Sequence, residues 1–148
     1  MRVRGTIYHY KNFRFLDGTC SDKFIILLNT PEKNDPCLFV PVTSKQRSKP
    51  KTEGCIHPHR AFFLLAGTAF FWLDSWVQLY PVYEIESIDS DPNATTASQL
   101  KAGLIDEIVN CLLSCAGRDI ISRHKKLLNP PLKASIQSLA DKFKKFRC

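Results

Sequence analysis

The chain has 148 residues, 44% of them apolar and 24% charged, which suits one domain with a hydrophobic core and excludes intrinsic disorder and a fibrous protein. Its formal charge of +7 is unevenly spread: residues 1–92 hold 11 Lys/Arg against 10 Asp/Glu, residues 93–148 hold 10 against 4, and residues 118–148 alone hold 9 against 2. Such asymmetry points to contact with nucleic acid or an anionic membrane surface, with a solvated lysine-rich helix as the plain alternative.

In chain order, Met1-Arg-Val-Arg-Gly5 is basic but turns at once to Tyr8, His9, Tyr10, Lys11 and Asn12. The apolar run of a signal peptide is missing, and a cytoplasmic protein is expected. Val3 to Tyr10, rich in β-branched and aromatic residues, predicts a first strand. Phe24 to Leu28 and Leu38 to Val42 are short apolar runs bounded by Asp17-Gly18 and by Asn34-Asp-Pro36, as buried strands are. Ala61 to Leu65 and Ala69 to Leu73 flank Ala66-Gly67-Thr68 and predict a hairpin with the glycine at positive φ. Together they fall short of the roughly 20 residues a membrane span requires. Ser75 to Leu79 and Val82 to Ile85 follow, so a small barrel or sandwich of short strands is expected over residues 1–92.

Asp89-Ser-Asp-Pro-Asn93 is a polar linker, and a helical extension is expected over residues 93–148. From Ser98 to Cys115, the residues Leu100, Leu104, Ile108, Cys111, Leu112 and Cys115 recur every third or fourth position and predict an amphipathic helix stopped at Gly117. After Pro130-Pro131, the apolar positions Leu132, Ile136, Leu139, Phe143 and Phe146 predict a second, with Lys133, Lys142, Lys144, Lys145 and Arg147 around it. Both helices are expected to pack on the β domain, the basic one reaching nucleic acid or a membrane as the alternative.

The chemistry concentrates between residues 45 and 60. Lys45, Arg47, Lys49, Lys51 and Arg60, with His57 and His59, face a single acid, Glu53. A basic loop set between two apolar strands suits phosphate contact, because flexible cations neutralise charge while the strands hold their position. The run Cys55-Ile-His57-Pro-His59 has alternate ligand types, but no second cluster completes a zinc tetrahedron and no metal or other cofactor is expected. The six cysteines are scattered, so free thiols are expected, and Cys111 and Cys115 read as helix core. Trp72 and Trp76 with Phe70 and Phe71 read as core, except that alternation turns Phe71 and Trp72 to opposite sides and leaves one to stack on a base or meet a partner protein.

Gly5-Thr-Ile-Tyr8, the apolar strand after Asp17-Gly18, Val40-Pro-Val-Thr-Ser44, and Leu73-Asp-Ser-Trp-Val-Gln-Leu79 leading to Glu84-Ile-Glu86 occur in the order found in MazF/PemK-like toxins of toxin-antitoxin systems. Over about residues 1–90 the chain resembles that family. The resemblance implies an SH3-like barrel, metal-independent cleavage of single-stranded RNA, an antitoxin partner and a homodimer. It carries the family's Thr-Ser element onto Thr43 and Ser44 and its later strand-opening serine onto Ser75. Where the family has an Arg-Pro pair, this chain reads Ser21-Asp22-Lys23-Phe24. Lys23 supplies a charge there without the planar fork of arginine. The expected catalytic set is then Lys23, Thr43, Ser44 and Ser75, with His57 or His59 moving protons, and Lys45, Arg47, Lys49, Lys51 and Arg60 binding RNA. The alternatives are a non-catalytic SH3-like module for nucleic acid or protein that has lost the arginine, and an inhibitor of a cellular enzyme acting by protein contact.

Overall fold

The structure, a computed structural model, describes residues 3–128. The apolar runs pair into one antiparallel sheet of β1 (Thr6–Arg14), β2 (Cys20–Leu27), β3 (Cys37–Thr43), β4 (Gly54–Ile56), β5 (Ala61–Leu64), β6 (Ser75–Gln78), β7 (Tyr83–Ile85) and β8 (Ala94–Gln99), followed by helices α1 (Ala102–Ala116) and α2 (Ser122–Leu128). The strand order is β4-β5-β6-β3-β2-β1-β8, and β7 also pairs with β3. Asp17-Gly18 makes the turn between β1 and β2, with Gly18 at φ 89° and the Asp17 carboxylate accepting from the Thr19 amide and hydroxyl.

β3 is buried from end to end because it is covered on both faces. The two-residue period of a strand sends Leu38, Val40 and Val42 to one side, where they join Ile7, Ile26 and Leu28 and the helix residues Ile105, Ile108, Val109 and Leu112. It sends Cys37 and Phe39 to the other, with Tyr8, Phe13, Ile25, Leu27 and Ile88. One edge of β3 pairs with β2; the other pairs with β7 up to Phe39 and with β6 from Val42. Pro41, which has no amide proton to give, sits where the partner on that second edge changes.

The structure corrects several expectations. The sheet is not a closed barrel: β4 and β8 end the strand order and do not pair with each other. Helix α1 instead packs against β4, β5 and the 3-10 turn at His57–His59, supplying by side-chain burial the cover that closure would give. Ala69 to Leu73 is not a strand, so the hairpin at Gly67 does not form; β5 pairs with β6 across a loop. That loop satisfies its own backbone: the amides of Gly67, Thr68 and Phe71 donate to Phe71, Leu65 and Thr68 carbonyls, and Asp74 accepts from the Ala66 amide. Ala69 and Phe70 lie in the left-handed region, which no strand admits. Phe71 is buried, while Trp72 is 88% exposed and Phe70, read as core, is exposed as well; the loop turns these side chains, since the strand alternation expected there is absent.

The residues after the polar linker begin as a strand, β8 on β1, and α1 starts at Ala102 rather than Ser98. Its buried face is Ile105, Ile108, Val109, Cys111, Leu112 and Ala116, while Leu104 and Cys115 are half-buried. Gly117 ends the helix in a right-handed conformation, and a Cβ there would lie 2.3 Å from the Leu113 carbonyl oxygen. The expected helix from Leu132 lies outside the described residues. Cys55 and Cys111 are joined in a disulfide, contrary to the expectation of free thiols, tying β4 to α1 across 56 positions of sequence. A cross-link of this kind typically contributes about 2–4 kcal/mol. Among the described residues no helix is long and apolar enough to cross a membrane.

Helix α2 is held to β7 by Glu84, whose carboxylate accepts from Arg123 and lies 2.6 Å from His124 Nε2. The hydrogen bond from His124 and then that from Arg123 hold the Glu84 carboxyl below its usual range, against the opposing effect of burial. A lowered carboxyl pKa contributes stability that is full above the ordinary glutamate range and lost as pH falls through the lowered value. Because Glu84 is exposed and solvent screens its pairs, Glu84→Gln should cost no more than ~1 kcal/mol at pH 7. Thermal melts of the two proteins should converge on acidification. Gly117→Ala should destabilise by about 1–3 kcal/mol through the clash with Leu113, measurable by urea unfolding.

Candidate nucleic-acid interface

β3 ends at Thr43, and the chain leaves the sheet there because the buried Thr43 Oγ1 accepts the Lys45 amide proton at 3.2 Å. The basic segment that follows is shaped rather than loose. The Lys49 amide donates to the Gln46 carbonyl, the Gln46 side chain donates back to the Lys49 carbonyl at 2.9 Å, and Arg47 takes a left-handed φ of 51°. Trp76 Nε1 on β6 donates to the Pro50 carbonyl at 3.0 Å, and Lys49 Nζ lies 5.8 Å from the Trp76 ring centre. The loop is thus pinned at its start by a β3 hydroxyl and near its end by a buried indole.

Beside it, the 3-10 turn at His57–His59 is closed by Arg60, whose amide donates to the His57 carbonyl and whose φ is 48°. The Arg60 guanidinium lies 4.9 Å from the Tyr80 ring centre and ion-pairs with Asp119. Lys23 projects from β2 toward the same place. These groups line a groove of about 620 Å³ together with Phe15, Tyr80 and Tyr83.

Among the described residues, the groove gathers five cations, Lys23, Lys45, Arg47, Lys49 and Arg60, against one lining carboxylate, Asp17. Burial and crowding act together on two of them. Burial first, then the charges of Lys45 and Arg47, hold the Lys23 ammonium below its usual range; burial and Arg47 do the same to Lys49. A like-charged, partly desolvated cluster gains most from an anion laid across it.

Of the residues singled out in the sequence, Lys23, Thr43, His59, Lys45, Arg47, Lys49 and Arg60 meet in this groove. Ser44 and Ser75 line a neighbouring apolar cavity of about 360 Å³ with Phe24, Phe70, Phe71 and Trp72; Lys23 borders both. Ser75 is buried, and its hydroxyl donates to the Leu73 carbonyl at 2.8 Å. Lys51 is turned away and pairs with Asp74 at 3.0 Å. His57 lines neither cavity; its Nε2 lies 3.1 Å from the Ser114 carbonyl oxygen on α1.

Sequence reasoning missed the aromatic lining from Phe15, Tyr80 and Tyr83, which comes from two segments far apart in the chain without a shared motif. It also missed the meeting of Cys55 with Cys111 and Cys115. Burial raises the Cys115 thiol pKa, partly offset by the charge of Arg60.

A lysine whose folded pKa is lowered costs stability while it is charged, and that cost fades as pH rises through the lowered value toward the ordinary lysine range. Lys23→Met should therefore stabilise the fold slightly at pH 7 in low salt, by well under ~1 kcal/mol for a half-buried lysine still screened by solvent, read as a small rise in melting temperature. The gain should vanish at strongly alkaline pH, and added phosphate should stabilise the wild type more than the variant. No protein-family model matches the chain, and no curated protein matches it.

Proposed function

We propose that this chain is a toxin of the MazF/PemK type that binds single-stranded RNA in the basic groove and cleaves it without a metal. The observation that carries this reading is the convergence of Lys23, Thr43 and His59, three residues from distant segments, among the groove cations. The open, two-faced sheet belongs to the same proposal as a divergent SH3-like fold with α1 covering one face. So do the antitoxin and the homodimer that the family resemblance implies, and the exposed Phe70, Trp72 and Leu73 offer apolar area to a protein partner.

The chemistry assigns each group one task. The neutral His59 imidazole takes the proton of a ribose 2′-hydroxyl as that oxygen bonds to phosphorus. The bond from phosphorus to the 5′-oxygen breaks, and the leaving oxygen takes a proton from water, giving a 2′,3′-cyclic phosphate and a 5′-hydroxyl. Lys23 offsets the charge that builds on the non-bridging oxygens. The Thr43 oxygen already accepts from the Lys45 amide, so its own proton is left to donate to the phosphate. Phe15, Tyr80 and Tyr83 give unpaired bases faces to stack on, as single-strand binding needs. The absence of the Arg-Pro pair, where this chain reads Ser21-Asp22-Lys23-Phe24, favours a second reading, the same groove as a binding site without turnover.

Purified protein incubated with single-stranded RNA and a chelator should yield cyclic-phosphate ends, and His59→Ala should slow the reaction by roughly 100-fold or more. Thr43→Ala and Lys23→Ala should also slow it. Binding of labelled RNA should weaken with salt: Arg60 is already paired with Asp119, and neutralisation by about four remaining cations gives a log–log slope of roughly −3. Salt-dependent binding with no cleavage selects the binding module. Absence of binding, or cleavage unchanged in all three variants, removes the groove from both readings.

A further inference from the structure

The cysteines are scattered in the sequence, but the fold gathers three. Cys55 lies on β4, and Cys111 and Cys115 lie one helical turn apart on the part of α1 that packs against that strand. Their sulfurs all lie within 4.8 Å of one another. Cys115 Sγ is 3.6 Å from Cys55 Sγ and 3.7 Å from Cys111 Sγ. Cys55 and Cys111 are joined as a disulfide, and Cys115 is a free thiol. Cys55 is exposed, Cys115 half-buried and Cys111 buried, so the cluster is reached from solvent at one corner and walled by protein at another.

Two chemistries would use the third sulfur, and geometry separates them. A thiolate that attacks a disulfide approaches along the sulfur–sulfur axis, close to one sulfur and distant from the other. Cys115 stands almost equally far from both, beside the bond and off its axis. A tetrahedral cation with metal–sulfur bonds of about 2.3 Å instead requires its sulfurs to lie ~3.8 Å apart. Cys115 holds close to that spacing from both partners already. His57, two residues after Cys55, reaches the carbonyl of Ser114, the neighbour of Cys115, and so ties the two segments that carry the sulfurs.

We propose that Cys55, Cys111 and Cys115, once reduced, form a three-thiolate binding site for Zn²⁺, of which the disulfide is the oxidised, metal-free state. A dithiol reductant gives two electrons and two protons to the Cys55–Cys111 bond and becomes a disulfide itself. Binding of Zn²⁺ then displaces three thiol protons to solvent, and each sulfur donates one pair to the metal. The fourth position is left to water. Three thiolates around a divalent cation leave a net negative charge at the solvent-reached corner of the cluster.

The test uses the full chain, reduced with a phosphine, freed of reductant without air, and titrated with Zn²⁺ against a chromophoric chelator and with Co²⁺ by absorption. Reduced wild type should bind one equivalent and show thiolate-to-cobalt charge transfer. Stoichiometric binding should be lost in reduced Cys115→Ser and in the oxidised wild type, and kept in reduced Cys20→Ser, whose sulfur lies outside the cluster. Because reduction also removes a cross-link, thermal melts provide a second readout: Zn²⁺ should raise the melting temperature of reduced wild type and leave that of reduced Cys115→Ser unmoved. Equal binding by reduced Cys115→Ser or by the oxidised protein, or no binding and no thermal shift in reduced wild type, overturns the proposal.

Discussion

β3 is buried along its whole length and paired along both edges, so it has no face or edge left for solvent. A seven-residue strand in that position must be apolar throughout, and Cys37-Leu-Phe-Val-Pro-Val-Thr43 is, up to the residue where it leaves the core. The rest of the molecule is arranged by this constraint. Each face of β3 demands a cover: α1 supplies one, and the cluster of Tyr8, Phe13, Ile25, Leu27 and Ile88 fills the other. Each edge demands partners, and the switch from β7 to β6 at Pro41 divides one edge between two short strands.

The groove is a consequence of how β3 ends. Thr43 is the first polar residue of the strand and lies at its buried end, so its hydroxyl bonds the backbone at the point where the chain becomes basic. The loop's cations are therefore delivered from a rigid strand end, and the indole of Trp76, fixed in the core, holds the other end of the loop. This is why several cations can be kept close with few carboxylates among them. Burial first, and their mutual repulsion second, hold the Lys23 and Lys49 ammonium groups below their usual range, and the packing beneath carries that cost.

The disulfide and the thiol beside it stand on the opposite side of the 3-10 turn from this chemistry. His57 and His59, two positions apart, serve different neighbourhoods: one holds α1 through Ser114, the other lines the groove. Arg60 belongs to both, acting on Cys115 and closing the groove over Tyr80.

Periodicity and composition determined the strands that bury apolar runs, the helical face of α1 and the basic character of residues 45–60, because these follow from local spacing and charge. They could not reveal β8, whose Ala94-Thr-Thr-Ala-Ser-Gln99 carries no apolar alternation and becomes a strand only by pairing with β1 on a half-exposed edge. They misread Ala69 to Leu73, since apolar content does not distinguish a strand from a loop anchored by one buried phenylalanine. Which of two histidines two residues apart faces the groove, why Ser75 is structural in its bonding, and the meeting of Cys55 with Cys111 and Cys115 were decided by tertiary structure alone. Each depends on contacts between segments dozens of residues apart, and the direction of a side chain across such a gap is fixed by packing, about which the neighbouring residues in the chain say nothing.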